Sequence, residues 1–118
     1  MNFGRSILGT VAGIMTAGLV IAGVEALAHG RVAGNALFGV VAGGYGLGAF
    51  GGSLVALRLS GARWTAVVVT VALALLAIVN LFAMPHPMWF APVAGATLAA
   101  GHFAAIVAAR RSGSRALP

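Results

Sequence analysis

Four stretches, roughly 6–28, 35–57, 64–83 and 88–109, run almost without charge and are separated by short arginine- or proline-bearing segments. A helix needs about 20 predominantly apolar residues to cross about 30 Å of hydrocarbon, and each stretch is long enough. A membrane β-barrel would instead show alternating polarity in segments of about ten residues. These runs are apolar on every face. The connections, about 29–34, 58–63 and 84–87, are short enough to force neighbouring helices antiparallel. The expected fold is therefore all-α: an integral membrane, antiparallel four-helix bundle forming one domain over residues 1–118.

Charge supports the same reading. Charged residues make up 7% of the chain, against roughly 25% in soluble domains, too few to cover a soluble surface. There is no Cys, no Asp and no Lys, and Glu25 is the one acid. Disulfides and thiolate metal sites are thereby excluded. The net charge of +6 does not indicate nucleic acid, because the arginines are scattered rather than gathered on a face. Their distribution sets the orientation. With the N-terminus inside, Arg5, Arg58, Arg63, Arg110, Arg111 and Arg115 lie on the cytoplasmic side and Arg31 alone outside. That bias in short loops places both termini in the cytoplasm. Heavy use of Ala, Gly and Arg without Lys suggests a bacterial inner membrane. The first span imitates a signal peptide, but its apolar run, residues 7–24, exceeds the 7–15 residues of an h-region. It is expected to remain.

Glycine is concentrated in the second span. Gly44, Gly48 and Gly52 recur every four residues, and Gly9 and Gly13 repeat the spacing in the first span. Such faces let helix backbones touch. They imply packing inside the bundle or between protomers, with a homodimer or another membrane protein as the partner alongside the lipid bilayer. The segment 46–51 matches G-x-G-x-x-G, but it sits mid-span with no acid after it, so a dinucleotide site is excluded.

Ionisable side chains inside spans are costly and point to function. Glu25 lies about 5 Å from the end of the first span at 1.5 Å per residue, and His29 follows one turn later. Gly18, Ala22, Glu25 and His29 form one stripe, expected to face the bundle. In the third span Asn80 sits at matched depth on a stripe with Ala66, Leu73 and Ala77, and His86 follows between Pro85 and Pro87. Glu25, His29, Asn80 and His86 thus define one outer polar layer. Three readings stay open: a proton- or cation-handling site, a metal site using Glu25, His29 and His86 with Asn80 in support, and a structural cap with Glu25 paired to Arg31 or His29. If the first and third spans meet, Glu25 is expected within hydrogen-bond reach, about 2.6–3.2 Å, of Asn80, His86 or His29. His102, midway along the fourth span, is expected to be satisfied by backbone or by Thr70 or Ser53. No set of residues for acid-base or nucleophilic catalysis is present, so neither catalysis nor a cofactor is expected.

The segments Gly23-Val24-Glu25-Ala26-Leu27-Ala28-His29 and Asn80-Leu81-Phe82-Ala83-Met84-Pro85-His86-Pro87-Met88-Trp89-Phe90 resemble a family of small, uncharacterised bacterial four-span membrane proteins. These carry a similar G-V-E-x-x-x-H and N-x-x-x-x-P-H-P-x-W-F, and a glycine-rich second span. The first outer loop is shorter here than in that family. The resemblance implies a fold and no activity. Small multidrug resistance transporters are similar in size, span number and a lone first-span Glu, although theirs lies mid-span. The functional expectation is a transporter-like or accessory protein. The alternative is a structural or partner-binding subunit held by its glycine faces.

Overall fold

The computed structural model describes residues 2–116, with side chains as far as Arg111, so the Arg115 side chain lies outside the described residues. It is built from four helices: α1 (Phe3–Ala28), α2 (Asn35–Ser60), α3 (Arg63–Ala83) and α4 (Phe90–Ala116). All four contain segments long and apolar enough to cross a membrane, in α4 Phe90–Arg111. The long axis of the molecule is 50 Å, sufficient for a bilayer of about 40–45 Å including headgroups. Large apolar side chains face outward, with Phe82 88% and Leu19 73% exposed. In water that surface would be prohibitive; against lipid tails it is neutral.

Helix ends follow local chemistry. The Asn2 side chain accepts from the Arg5 N–H at 3.2 Å and caps α1. Gly61, with φ +73°, ends α2 in the left-handed region and returns its N–H to Leu57 O at 2.8 Å. That conformation costs glycine little and other residues much. The two-residue turn is then pinned by Ser60 and Thr65: their hydroxyls lie 2.8 Å apart and share two protons among each other and the carbonyls of Ala56 and Ala62, while the Ala62 N–H donates to Ser60 Oγ at 3.1 Å. Helix continues beyond the expected hydrocarbon limit, so Arg58 lies within α2 rather than in a connection. α4 starts at Phe90, two residues later than expected, where the Phe90 N–H bonds Pro87 O at 3.0 Å.

α2 touches all three other helices, whereas α1 and α4 make no contact with each other among the described residues. Its position follows from its glycines. A Cβ added at Gly13 or Gly52 would stand 2.6 Å from the other's carbonyl oxygen. At Gly9 it would meet Ala56 O at 2.9 Å, at Gly48 the Ile21 side chain at 2.9 Å, and at Gly44 that of Val24 at 3.1 Å. All five singled-out glycines therefore line the α1–α2 seam within one chain. A second copy cannot use Gly44, Gly48 and Gly52 without displacing α1. A further seam, unnoticed in the sequence, joins α2 to α4: a Cβ on Gly101 would overlap the Gly46 carbonyl. The Thr97 hydroxyl donates to Ala42 O across the same seam at 2.7 Å.

One expectation about α1 fails. Its packed stripe is Gly9, Gly13, Ala17 and Ile21, and Gly18, Ala22, Glu25 and His29 lie on an exposed flank. Both stripes carry small residues at depth, and spacing alone does not separate them. The one that pairs with glycine on α2 wins because it permits backbone contact. On α3 the expected stripe is the packed one, with Ala66, Leu73 and Ala77 buried.

Candidate functional site

At the end of the bundle where α1 and α3 terminate, the helices leave a cavity of about 320 Å³. It is lined by Glu25, His29, Asn80 and His86 together with Leu37, Phe38, Val41, Tyr45, Met84 and Phe90. The four polar residues singled out by depth therefore border one space. Tyr45 and Phe90 are fully buried and form its floor, while Glu25 and His29 are exposed at its mouth.

Each wall is built locally. The His29 N–H closes the last turn of α1 on Glu25 O at 2.9 Å, holding Glu25 in helix up to the break at Gly30 (φ +79°). On α3 the Met84 N–H bonds Asn80 O at 3.1 Å, and the chain then runs extended through Pro85 and Pro87. His86 Nδ1 bonds Met84 O at 2.7 Å. A carbonyl oxygen only accepts, so Nδ1 carries the proton and, in the neutral ring, Nε2 keeps a lone pair. The imidazole packs on Phe90 at 4.5 Å and Phe38 at 5.1 Å between ring centroids. Phe90 in turn meets Tyr45 edge-on at 6.5 Å, an arrangement favoured by the ring quadrupoles.

The expected hydrogen bonds of Glu25 are not formed. Asn80 Nδ2 donates instead to the Tyr45 hydroxyl at 2.6 Å. Arg31 Nη1 donates to Leu27 O at 3.4 Å rather than to the carboxylate. Among the described residues the Glu25 carboxylate has no hydrogen-bond or ion-pair partner. The reason is Tyr45, which brings a hydroxyl from the neighbouring α2 to the depth of Asn80. Sequence reasoning missed this residue; the signal was available, since it is the single Tyr of the chain and a buried Tyr hydroxyl requires a partner. No group of three His or Glu side chains is disposed to hold a metal ion among the described residues. The candidates Glu25, His29 and His86 share a cavity but not a coordination sphere, and His86 has committed Nδ1 to the backbone.

A second polar cluster lies deeper and is closed. His102 Nδ1 and the Thr70 hydroxyl are 2.8 Å apart, and Thr70 meets the Ser53 hydroxyl at 3.2 Å. Both partners expected for His102 are thus in place, one directly and one through Thr70. The cluster ties α2, α3 and α4 together.

No family profile, curated protein or solved structure matches this chain. Chemical reading of the site therefore rests on its own groups. An unpaired carboxylate at the mouth of an otherwise apolar and aromatic cavity, with imidazoles beside it, can take a proton or attract a cation. The second Asn80 N–H and the Tyr45 hydroxyl could donate to an anion, but Glu25 would repel it.

Proposed function

We propose that the chain is a small multi-pass protein of a bacterial inner membrane, non-catalytic, with a proton- or cation-handling site at its outer face. The carrying observation is the unpaired Glu25 carboxylate bordering one cavity with His29, Asn80 and His86. A carboxylate at membrane depth without a partner is expensive, and such residues mark ion or proton pathways. A structural cap would have paired it.

The antiparallel arrangement is supported by contacts that run in opposite senses along neighbouring helices. Gly9 faces Ser60 while Gly13 faces Gly52; Ser60 meets Thr65 while Ser53 meets Thr70. Together with the arginine asymmetry this arrangement supports a reading with both termini in the cytoplasm and the cavity outside. C-terminal reporter fusions should be active only in the cytoplasm-selective form, and a periplasmic C-terminus would reverse the orientation.

The site itself is tested in proteoliposomes. Wild-type protein should carry a proton or small-cation flux that Glu25→Gln reduces at least tenfold at unchanged helical content. Equal flux in both proteins would end the transporter-like reading. The scaffold alternative has weaker support, because the glycine faces it would offer to a partner are covered by α1 and α4.

A further inference from the structure

We propose that the cavity receives a protonated primary or secondary amine with an apolar or aromatic body, the ammonium at Glu25 and the body on the floor of Phe38, Phe90 and Tyr45. The inference rests on the cation-handling reading and narrows it. Four observations select this class.

Charge comes first. The cavity is bordered by the one acidic side chain of a protein with net charge +6, and no protein cation neutralises it among the described residues. Size comes second. A volume of about 320 Å³ falls in the range of about 300–1,000 Å³ of small-molecule pockets and far exceeds the needs of a bare ion. A metal ion would also have to exchange its hydration shell for several ligands, and no group of three is disposed for one.

The third observation is the hydrogen-bond polarity of the walls. His86 donates from Nδ1 to Met84 O, so neutral Nε2 can only accept. Asn80 has committed one N–H to Tyr45, and its Oδ1 has no donor among the described residues. With the carboxylate these make three acceptors open to N–H groups, against two remaining donors, the second Asn80 N–H and the Tyr45 hydroxyl proton. A quaternary ammonium has none to offer, whereas a protonated amine has two or three. Fourth, Tyr45 and Phe90 are fully buried and Phe38 half-buried, an aromatic floor suited to a hydrocarbon or aryl body, and a cation within about 6 Å of the Phe38 or Phe90 ring would gain cation–π attraction. This last term would favour a quaternary and a protonated amine alike. The acceptors are what separate them.

The test compares three probes sharing one body: phenethylammonium, phenethyltrimethylammonium and neutral phenethyl alcohol, titrated calorimetrically into the full chain in zwitterionic lipid nanodiscs. The ammonium should bind saturably and at least tenfold more tightly than either of the others. Glu25→Gln should weaken it at least tenfold, and Phe38→Ala, which keeps the carboxylate, about threefold or more. A quaternary probe that binds as tightly as the amine overturns the proposal, as does amine affinity within twofold of wild type in Glu25→Gln. Should no probe bind while Glu25-dependent proton flux persists in proteoliposomes, the amine is excluded and the proton reading survives. Absence of both would remove both.

Discussion

α1 holds two pairs of glycines that behave oppositely. Gly9 and Gly13 lie against α2 so closely that an added Cβ would press on backbone carbonyls, whereas Gly18 and Gly23 have nothing within 4 Å of that position. Along the packed stripe of α1 the side chains grow from Gly9 and Gly13 to Ala17 and then Ile21. Where glycine faces glycine the separation is set by backbone. Where Gly48 and Gly44 face Ile21 and Val24 it is set by branched side chains. Along α2 the order runs the other way: Ala56 and Ser60 face Gly9, whereas Gly44 faces Val24, so small residues meet larger ones at both ends of the seam. The seam is closed along its length, and the cavity lies beside it, where the exposed flank carries Glu25.

The severest way to break this contrast is where glycine faces glycine. Gly13→Leu would drive an isobutyl group into Gly52 O and the Val69 side chain, both already within 3 Å of the added Cβ position. Overpacking of this kind costs about 1–3 kcal/mol where neighbours can yield, and backbone cannot. The variant should lose its cooperative thermal transition in detergent, monitored by circular dichroism. A Tm within a few degrees of wild type would show that the seam is looser than described.

Next comes the difference between an open and a closed polar group. Thr70→Val removes both bonds of the Ser53–Thr70–His102 cluster while conserving shape. Interhelical hydrogen bonds in membranes average about 0.6 kcal/mol, with maxima near 1.7 kcal/mol, so the pair is worth about 1–2 kcal/mol. Unfolding free energy measured in mixed micelles should fall by that amount, and the Glu25-dependent flux should remain. Glu25→Gln should do the reverse, abolishing flux with little change in stability, because its carboxylate is bonded to nothing that stabilises the fold. If Thr70→Val abolished flux as well, the deep cluster would belong to the working site and the distinction between the two polar regions would collapse.

How far the sequence carries such distinctions depends on which physical term dominates. Hydrocarbon thickness dictates span length, so the four helices were legible, with errors of two or three residues where Ser60 and Phe90 obey local caps. Depth along a helix is arithmetic, and it brought Glu25, His29, Asn80 and His86 to one cavity. Facing is not arithmetic. Small residues at depth favour the Gly18–His29 stripe as the packed one, yet Gly9, Gly13 and Ala17 hold that position, because which of two small stripes meets α2 depends on the glycines opposite. Tyr45 was missed for the same reason: its hydroxyl gains meaning only once Asn80 is known to stand beside it. The Gly46–Gly101 contact likewise joins residues 55 positions apart, with no repeat in α4 to announce it.

The smallest effect should come from Gly18→Ala, and it is the sharpest control on the α1–α2 seam. Gly18 and Gly13 share a helix, an apolar setting and a residue type, so propensity treats them alike: alanine is favoured over glycine in a helix interior by up to about 1 kcal/mol. Packing treats them differently. At Gly13 the new methyl would stand 2.6 Å from Gly52 O, and at Gly18 it would enter open space. Gly18→Ala should therefore leave stability within about 1 kcal/mol of wild type, on the stabilising side, while Gly13→Ala lowers it. Chemical unfolding of the two alanine variants in the same micelles compares them directly. Matching losses would mean that position 18 is covered in the membrane, by a second copy or another helix, and the exposed flank bearing Glu25 would then be an interface. A null effect at 18 beside a loss at 13 would leave that flank facing lipid, with the cavity mouth open beside it.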